Sequence, residues 1–251
     1  MTNIILRGCN GKMGQVITDM VEADENAIIV AGIDVSQNRN NKYPVYQNFS
    51  KCNVKADVII DFSAPINIEE MLDFAISRGI GIVLCTTGLL KEQLLLINEA
   101  AAKIPIFKSA NMSMGINLIS KLLKEAAVVL ADAGFDIEIV EKHHNKKVDA
   151  PSGTALALAD AMNEALNNEY EYKYDRSGDR VMRSKKEIGI SAVRGGTIVG
   201  EHEIIFAGTD EVIEIKHTAY SKAIFAKGAV QAAKFLPGNP AGMYQMRDMM
   251  D

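Results

Sequence analysis

The sequence predicts an α/β protein in two parts: a doubly wound parallel sheet, then a smaller α+β region with a mixed sheet. Three observations lead there. An apolar segment from Asn3 to Arg7 runs directly into the loop Gly8-Cys9-Asn10-Gly11-Lys12-Met13-Gly14. Apolar strands and amphipathic helices then alternate as far as Phe107, the order that builds a parallel sheet with right-handed crossovers. Beyond residue 135 the pattern changes to successive strand-like runs, which suit a mixed or antiparallel sheet.

The elements follow in order. After the glycine loop, Met13, Val16, Ile17, Met20 and Val21 recur at helical spacing, and Ala27 to Ile33 reads as a second strand ending on Asp34. A tight glycine turn, a helix N-terminus and an acid 20 residues beyond Gly14 make a dinucleotide-binding arrangement, here spaced Gly-x-x-Gly-x-x-Gly. A Rossmann-like domain is therefore expected. Residues 36–50 are polar and rich in Asn and Gln, and read as a surface loop. Ala56 to Asp61 is a strand, and Pro65 to Ser77 a helix with Ile68, Met71, Leu72, Ala75 and Ile76 on one face. Gly81 to Cys85 is a strand leading to Thr86-Thr87-Gly88, followed by a helix from Lys91 to Ala102. Ile104 to Phe107 is a strand leading to Ser109-Ala110-Asn111-Met112-Ser113. Ligands of such sheets sit at the carboxyl ends of the strands, where Gly8, Asp34, Asp61 to Ser63, Thr86, Thr87 and Asn111 all fall.

Ile116 to Leu130 is a helix whose expected buried stripe is Leu118, Ile119, Leu122, Leu123 and Ala126. A domain change is expected at residues 112–116. A strand over 135–141 and a helix over 154–166 come next, then a charged, tyrosine-bearing connection. Ile188 to Val193, Thr197 to Phe206 and Val212 to His217 are the late strands. A helix from Lys222 to Phe235 and a Met-rich tail finish the chain, and no internal repeat is present.

At 251 residues the chain can bury a sizeable core, as one large domain or two small ones. A net charge of −5 disfavours nucleic acid as the main partner, and the longest apolar runs are too short to span a bilayer. Thr2 to Arg7 passes into the glycine loop without a cleavage region, so no secretory leader is expected. Cys9, Cys52 and Cys85 are widely spaced and odd in number, which suits a reduced, cytoplasmic protein without a disulfide framework.

The chemistry concentrates between Glu141 and Ala155, in Glu-Lys-His-His-Asn-Lys-Lys-Val-Asp-Ala-Pro-Ser-Gly-Thr-Ala. On a continuing strand, Phe135, Ile137, Ile139 and His143 share a face, so His143 arrives backed by core. Histidine exchanges protons near neutral pH; Lys142, Lys146 and Lys147 favour an anion. Ser152-Gly153-Thr154 presents N–H groups at a helix start, with Ser152 or Thr154 as its cap. A proton donor beside two kinds of anion holder suits a small carboxylate or phosphate substrate. His202 and His217 read as core or interface histidines. No Cys or third His stands near His143 and His144 at ligand spacing, so no metal is expected.

The stretch from Glu141 to Ala155 resembles the signature of the dihydrodipicolinate reductases, the 4-hydroxy-tetrahydrodipicolinate reductases of bacterial and plant lysine biosynthesis. Gly8 to Gly14, Asp61 to Ser63, Thr86 to Gly88, Ala110 to Ser113, Arg194 to His202 and Phe225 to Ala229 also resemble segments of that family. The resemblance implies a reductase using NADH or NADPH on a cyclic dicarboxylate. It implies His143 as proton donor or acceptor and Lys147 as second proton donor. His144, Gly153 and Thr154 would hold substrate carboxylates. Gly8, Cys9, Asn10, Gly11, Lys12, Met13, Asp34, Cys85, Thr86, Thr87, Ser109, Ala110, Asn111 and Met112 would hold the cofactor. It further implies that residues 1–114 and 222–251 form the dinucleotide-binding domain, that 115–221 form the substrate-binding and tetramerisation domain, and that the protein is a homotetramer. Two departures stand out: Cys85 replaces the family's usual glycine, and Val35 follows Asp34 where many members carry arginine. The rival readings are another Rossmann reductase with a different anionic substrate and a nucleotide sensor without turnover. The presence of His143 and Lys147 favours catalysis.

Overall fold

The computed structural model describes residues 1–36, 40–178 and 180–250. The chain divides into two compact units, Met1–Met114 with Ala223–Asp251, and Gly115–Lys222. The first unit opens with β1 (Thr2–Arg7), α1 (Lys12–Glu22) and β2 (Ala27–Ile33). From residue 40 onward the polar segment that follows holds more order than its composition predicts. A short strand β3 (Val45–Tyr46) pairs parallel with β2 at Gly32 and Ile33, and a 3-10 turn spans Phe49–Lys51. Phe49 supplies the reason, because its buried ring packs at a tilt of 43° against Phe74, 4.9 Å between centroids. β4 (Val58–Asp61), α2 (Ile68–Arg78), β5 (Gly81–Leu84), α3 (Lys91–Ala101) and β6 (Pro105–Phe107) continue the alternation. α2 starts later than Pro65 suggested, because Asn67 takes a left-handed φ of 54° and residues 63–67 form a loop instead.

In the second unit α4 (Met114–Asp132) leads to β7 (Asp136–His143), α5 (Gly153–Ala165), β8 (Glu171–Lys173), β9 (Glu187–Arg194), β10 (Gly200–Ala207) and β11 (Val212–Ala219). The sheet order is β11-β10-β7-β9-β8; β7 pairs antiparallel with β10 and parallel with β9, so the sheet is mixed. One face, carrying Ile137, Ile139, Ile188, Ile190, Ile204 and Phe206, packs with Leu123 and Ala127 of α4 and Leu158 and Met162 of α5. Each such fully buried side chain contributes on the order of 2 kcal/mol. The expected stripe of α4 needs correction: Leu118 and Leu122 are 49% and 47% exposed, while Ile116, Leu123 and Ala127 are buried.

The chain returns to the first unit as α6 (Ala223–Phe235), β12 (Gly242–Tyr244) and a 3-10 turn at Met246–Met249. The Met-rich tail therefore supplies an edge strand that the sequence did not announce. It completes a seven-stranded sheet of order β12-β6-β5-β4-β1-β2-β3, parallel throughout. Ile4, Leu6, Val58 and Ile60 pack toward α1 and α6, whereas Ile5, Ile59 and Ile82 pack toward α2 and α3. Burial on both faces explains why these strands are apolar without alternation. Among the described residues no helix is long and apolar enough to cross a membrane, and no cluster of three or more His, Cys, Asp or Glu could hold a metal ion.

Candidate active site

The carboxyl edge of the first sheet gathers the predicted nucleotide loops. Gly8 has φ of +79°, and a Cβ there would lie 2.7 Å from the Phe62 carbonyl oxygen, so the turn after β1 demands glycine. A Cβ on Gly14 would lie 2.2 Å from the Gly8 carbonyl oxygen, so α1 sits directly on the loop. No side chain caps α1 and no acid occupies its first turn, which leaves its first N–H groups for an anion. Asp34 is held by the main chain: Asn10 N–H donates to Oδ2 at 2.9 Å and Ser36 N–H to Oδ1 at 2.8 Å. The Asn10 amide donates to the Ser36 carbonyl and accepts from Asn41 at 2.8 Å, which ties the loop to the end of β2. Asp34 lines a cleft of about 370 Å³ with Gly8, Gly11, Val35, Phe62 and Ile66. A glycine turn, an uncapped helix start and an anchored carboxylate in one cleft fit the diphosphate and ribose of a nicotinamide dinucleotide.

Not every residue expected there offers its side chain. Cys9 is fully buried under Gly32, and its thiol is pushed up to about 12 by burial and by Asp34. Met112 is buried in the core, with its carbonyl against Gly228 of α6. Both can face a ligand only through the main chain. Cys85 is half-buried, and burial, then Asp61, raises its thiol well above the usual range. Asp61 is a hub: Arg7 Nη1 donates to it at 3.1 Å, Thr86 Oγ1 at 2.7 Å and Ser63 Oγ at 2.6 Å. It ties β1, β4 and the loop after β5 together. Thr87 and Ala110 are exposed; Ser109 and Asn111 are half-buried, and Asn111 Oδ1 accepts from Ser113 N–H at 2.8 Å. Lys12 is exposed and Met13 half-buried at the start of α1.

In the second unit the sheet face that builds the core changes character toward one end. Ile137, Ile139, Glu141 and His143 follow one another along β7 on that face, and Arg194, His202 and His217 join them from β9, β10 and β11. Glu141 is fully buried and accepts four hydrogen bonds. His143 Nδ1 lies 2.6 Å from Oε2, Arg194 reaches both oxygens at 2.7 Å, and Ser152 N–H donates to Oε1 at 2.9 Å. Burial alone would raise this carboxyl, but the bonds from Arg194, His143 and Ser152 outweigh it and hold the group below its ordinary range. With Nδ1 occupied by a carboxylate, Nε2 is the nitrogen with which His143 can exchange a proton.

Ser152 is the cap of α5; its Oγ accepts from Ala155 N–H at 3.1 Å and lies 2.9 Å from His202 Nε2. The two share one hydrogen bond, whose donor depends on the tautomer of His202. Burial, and then His143 nearby, pushes its pKa down to about 4. The two rings meet edge to face at 5.3 Å. Lys147 Nζ pairs with Asp149 at 2.9 Å. The Asp149 carboxyl is held low chiefly by that lysine and also by the Gly153 N–H. His144 is half-buried after β7, with a buried Nδ1 that has no protein partner. His143, His144, Lys147, Gly153 and Thr154 thus fall at one end of this unit, around the end of β7 and the start of α5.

Glu141 and Arg194 were not singled out from sequence, and His202 was read as a bland histidine. The one available signal was Glu141 itself, an acid on the inward phase of an otherwise apolar strand. Arg194 stood only as the first residue of the family-like segment Arg194 to His202, and its place beside Glu141 follows from the parallel pairing of β7 with β9.

Two family models match, dihydrodipicolinate reductase N-terminus over residues 2–112 and dihydrodipicolinate reductase C-terminus over residues 115–250. A 4-hydroxy-tetrahydrodipicolinate reductase of Clostridium tetani is 51% identical over 251 residues, covering 100% of this chain and 98% of the relative. One from Caldanaerobacter subterraneus subsp. tengcongensis is 50% identical with the same coverage. Among solved structures, a dipicolinate-bound dihydrodipicolinate reductase from Paenisporosarcina sp. TG-14 superposes with a TM-score of 0.82 at 25% identity, covering 98% of this chain and 97% of that one. The DAP dehydrogenase of C. glutamicum shares the fold at a TM-score of 0.57 and 15% identity, covering 98% and 92%. Matched over both halves by one family's models and half identical to its members from end to end, the chain belongs to the dihydrodipicolinate reductases, nicotinamide-dependent oxidoreductases.

Proposed function

We propose that this protein reduces 4-hydroxy-tetrahydrodipicolinate to tetrahydrodipicolinate, on the diaminopimelate route to lysine, with proton handling by His143 and Lys147. One observation carries the reading. The end of the second unit is built around carboxylates and protons, and Lys147 already engages a carboxylate of the chain itself, that of Asp149 at 2.9 Å, just ahead of the start of α5. A substrate carboxylate that replaces it meets the same lysine, with His144, Gly153 and Thr154 as the further groups that would hold it. The names of the relatives and the dipicolinate bound by the Paenisporosarcina enzyme agree with such a ligand.

The reaction takes up one hydride and one proton and loses the 4-hydroxyl as water, so two proton-handling groups suit it. The nicotinamide, when bound, supplies the hydride. Lys147 gives a proton while pairing with a carboxylate. His143 exchanges its proton at Nε2. Gly153, Thr154 and His144 orient the ring through its carboxylates, which limits the reacting carbon to one placement. In this reading residues 1–114 and 222–251 hold the dinucleotide, residues 115–221 hold the substrate, and Lys147→Ala weakens both binding and turnover. That change removes a charge-assisted contact worth about 1.5–3 kcal/mol as well as a proton donor. The test is consumption of NADH or NADPH by the purified protein when the condensation product of aspartate semialdehyde and pyruvate is supplied. Consumption with release of tetrahydrodipicolinate supports the reading, and its absence with both cofactors contradicts it.

A further inference from the structure

We propose that Glu141 is the positioning residue of this site. Its one carboxylate sets the imidazole of His143 with one oxygen and the anion-binding turn at Ser152 with the other, while Arg194 holds it in place. The inference deepens the reading above and rests on His143 acting as the proton-exchanging group.

The geometry is specific. Oε2 meets His143 Nδ1 at 2.6 Å and Arg194 Nη1 at 2.7 Å; Oε1 meets Ser152 N–H at 2.9 Å and Arg194 Nη2 at 2.7 Å. Four donors saturate the acceptor capacity of a carboxylate, and the guanidinium fork forces it into a single plane. Ser152 is also the residue that caps α5, so the same carboxylate sets where the Gly153 and Thr154 N–H groups begin. Arg194 Nη2 adds a bond to the Asp149 carbonyl at 2.6 Å, which fastens the loop between His143 and Ser152 to the same group. A buried ion pair is a weak source of stability, and an apolar residue continuing the run of Ile137 and Ile139 would fill this position as well. What only the carboxylate can do is accept from Nδ1 and leave Nε2 to exchange a proton. The neutral Ser152–His202 pair completes the wall without adding charge.

The whole protein, labelled with ¹⁵N at histidine, tests this through the side-chain nitrogen spectrum. In the wild type His143 is expected to carry its proton at Nδ1. In Glu141→Gln the amide faces Arg194 and His143 with a nitrogen or an oxygen, and neither orientation satisfies every donor, so the Nδ1–H signature is expected to disappear. Because Gln can still accept from Ser152 N–H, KM should stay within about threefold while kcat falls by about 10²-fold. Arg194→Lys keeps the charge without the fork and should fall in between, about tenfold in kcat. A merely structural Glu141 would lower the unfolding midpoint and leave the nitrogen spectrum and kcat of the folded fraction unchanged, which would overturn the proposal. So would a wild-type His143 protonated at Nε2 alone, an outcome readable even if Glu141→Gln does not fold. The spectrum needs no substrate, so a failure of the reductase assay and a failure of this inference are separate results.

Discussion

Gly200 shows how closely the histidine site depends on a residue that carries no chemistry. It lies on β10 at the end of the face shared with His202, and a Cβ built there would stand 3.1 Å from His143 Nε2. Its absence leaves room for the imidazole above the strand. Gly200→Ala should therefore displace the ring by a few tenths of an ångström and lower kcat by about tenfold, since small misplacements of a reacting group are costly. Unfolding by denaturant should show a change of no more than about 1–3 kcal/mol. Unchanged kcat would mean that His143 need not occupy the observed position. At this scale the sequence offered the segment with His143, Lys147 and Gly153 as a candidate site because its chemistry is contiguous in the chain, and the structure sets all three around the end of β7 and the start of α5. The sequence did not announce the contacts that Arg194 and Gly200 make with this segment, which arise from pairing between strands far apart in the chain.

At the scale of elements, the expected choice between cofactors rests on the end of β2. Asp34 is anchored by two main-chain donors and lines the cleft at the carboxyl edge of the first sheet. A carboxylate there accepts from ribose hydroxyls and repels a 2′-phosphate. Of the two cations that could offset it, Lys42 is engaged by Glu22 at 2.9 Å, and Arg39 lies outside the described residues. Exposed pairs are weak, yet Lys42 must leave Glu22 to serve a phosphate, and Val35 adds no charge. NADH should accordingly be used at least as well as NADPH by kcat/KM, and Asp34→Ala should shift the ratio toward NADPH. A wild-type preference for NADPH of about tenfold or more would contradict this. The strand–glycine loop–helix–strand order was legible because its glycines and periodicity are local. β3 and β12 were not, since a two-residue and a three-residue strand gain their identity only from the neighbours Gly32 and Pro105 that they pair with.

For the whole molecule, the face of the second sheet turned away from the helices bears directly on assembly. It presents Val140, Ile205 and Val193, the last 44% exposed, among Lys142, Glu201, Glu203 and Lys216, which pair with one another. Half-exposed apolar side chains on a sheet face suit association with other copies, in line with the homotetramer that the family resemblance implies. Sedimentation should give about four times the protomer mass of 27.3 kDa, and a fully active monomer at every concentration would remove the claim. The central claim concerns His143. In the reductase assay, His143→Gln should lose about 10²–10⁴ in turnover while binding the dicarboxylate nearly as well as the wild type. A His143→Gln protein that turns over at close to the wild-type rate would contradict the account.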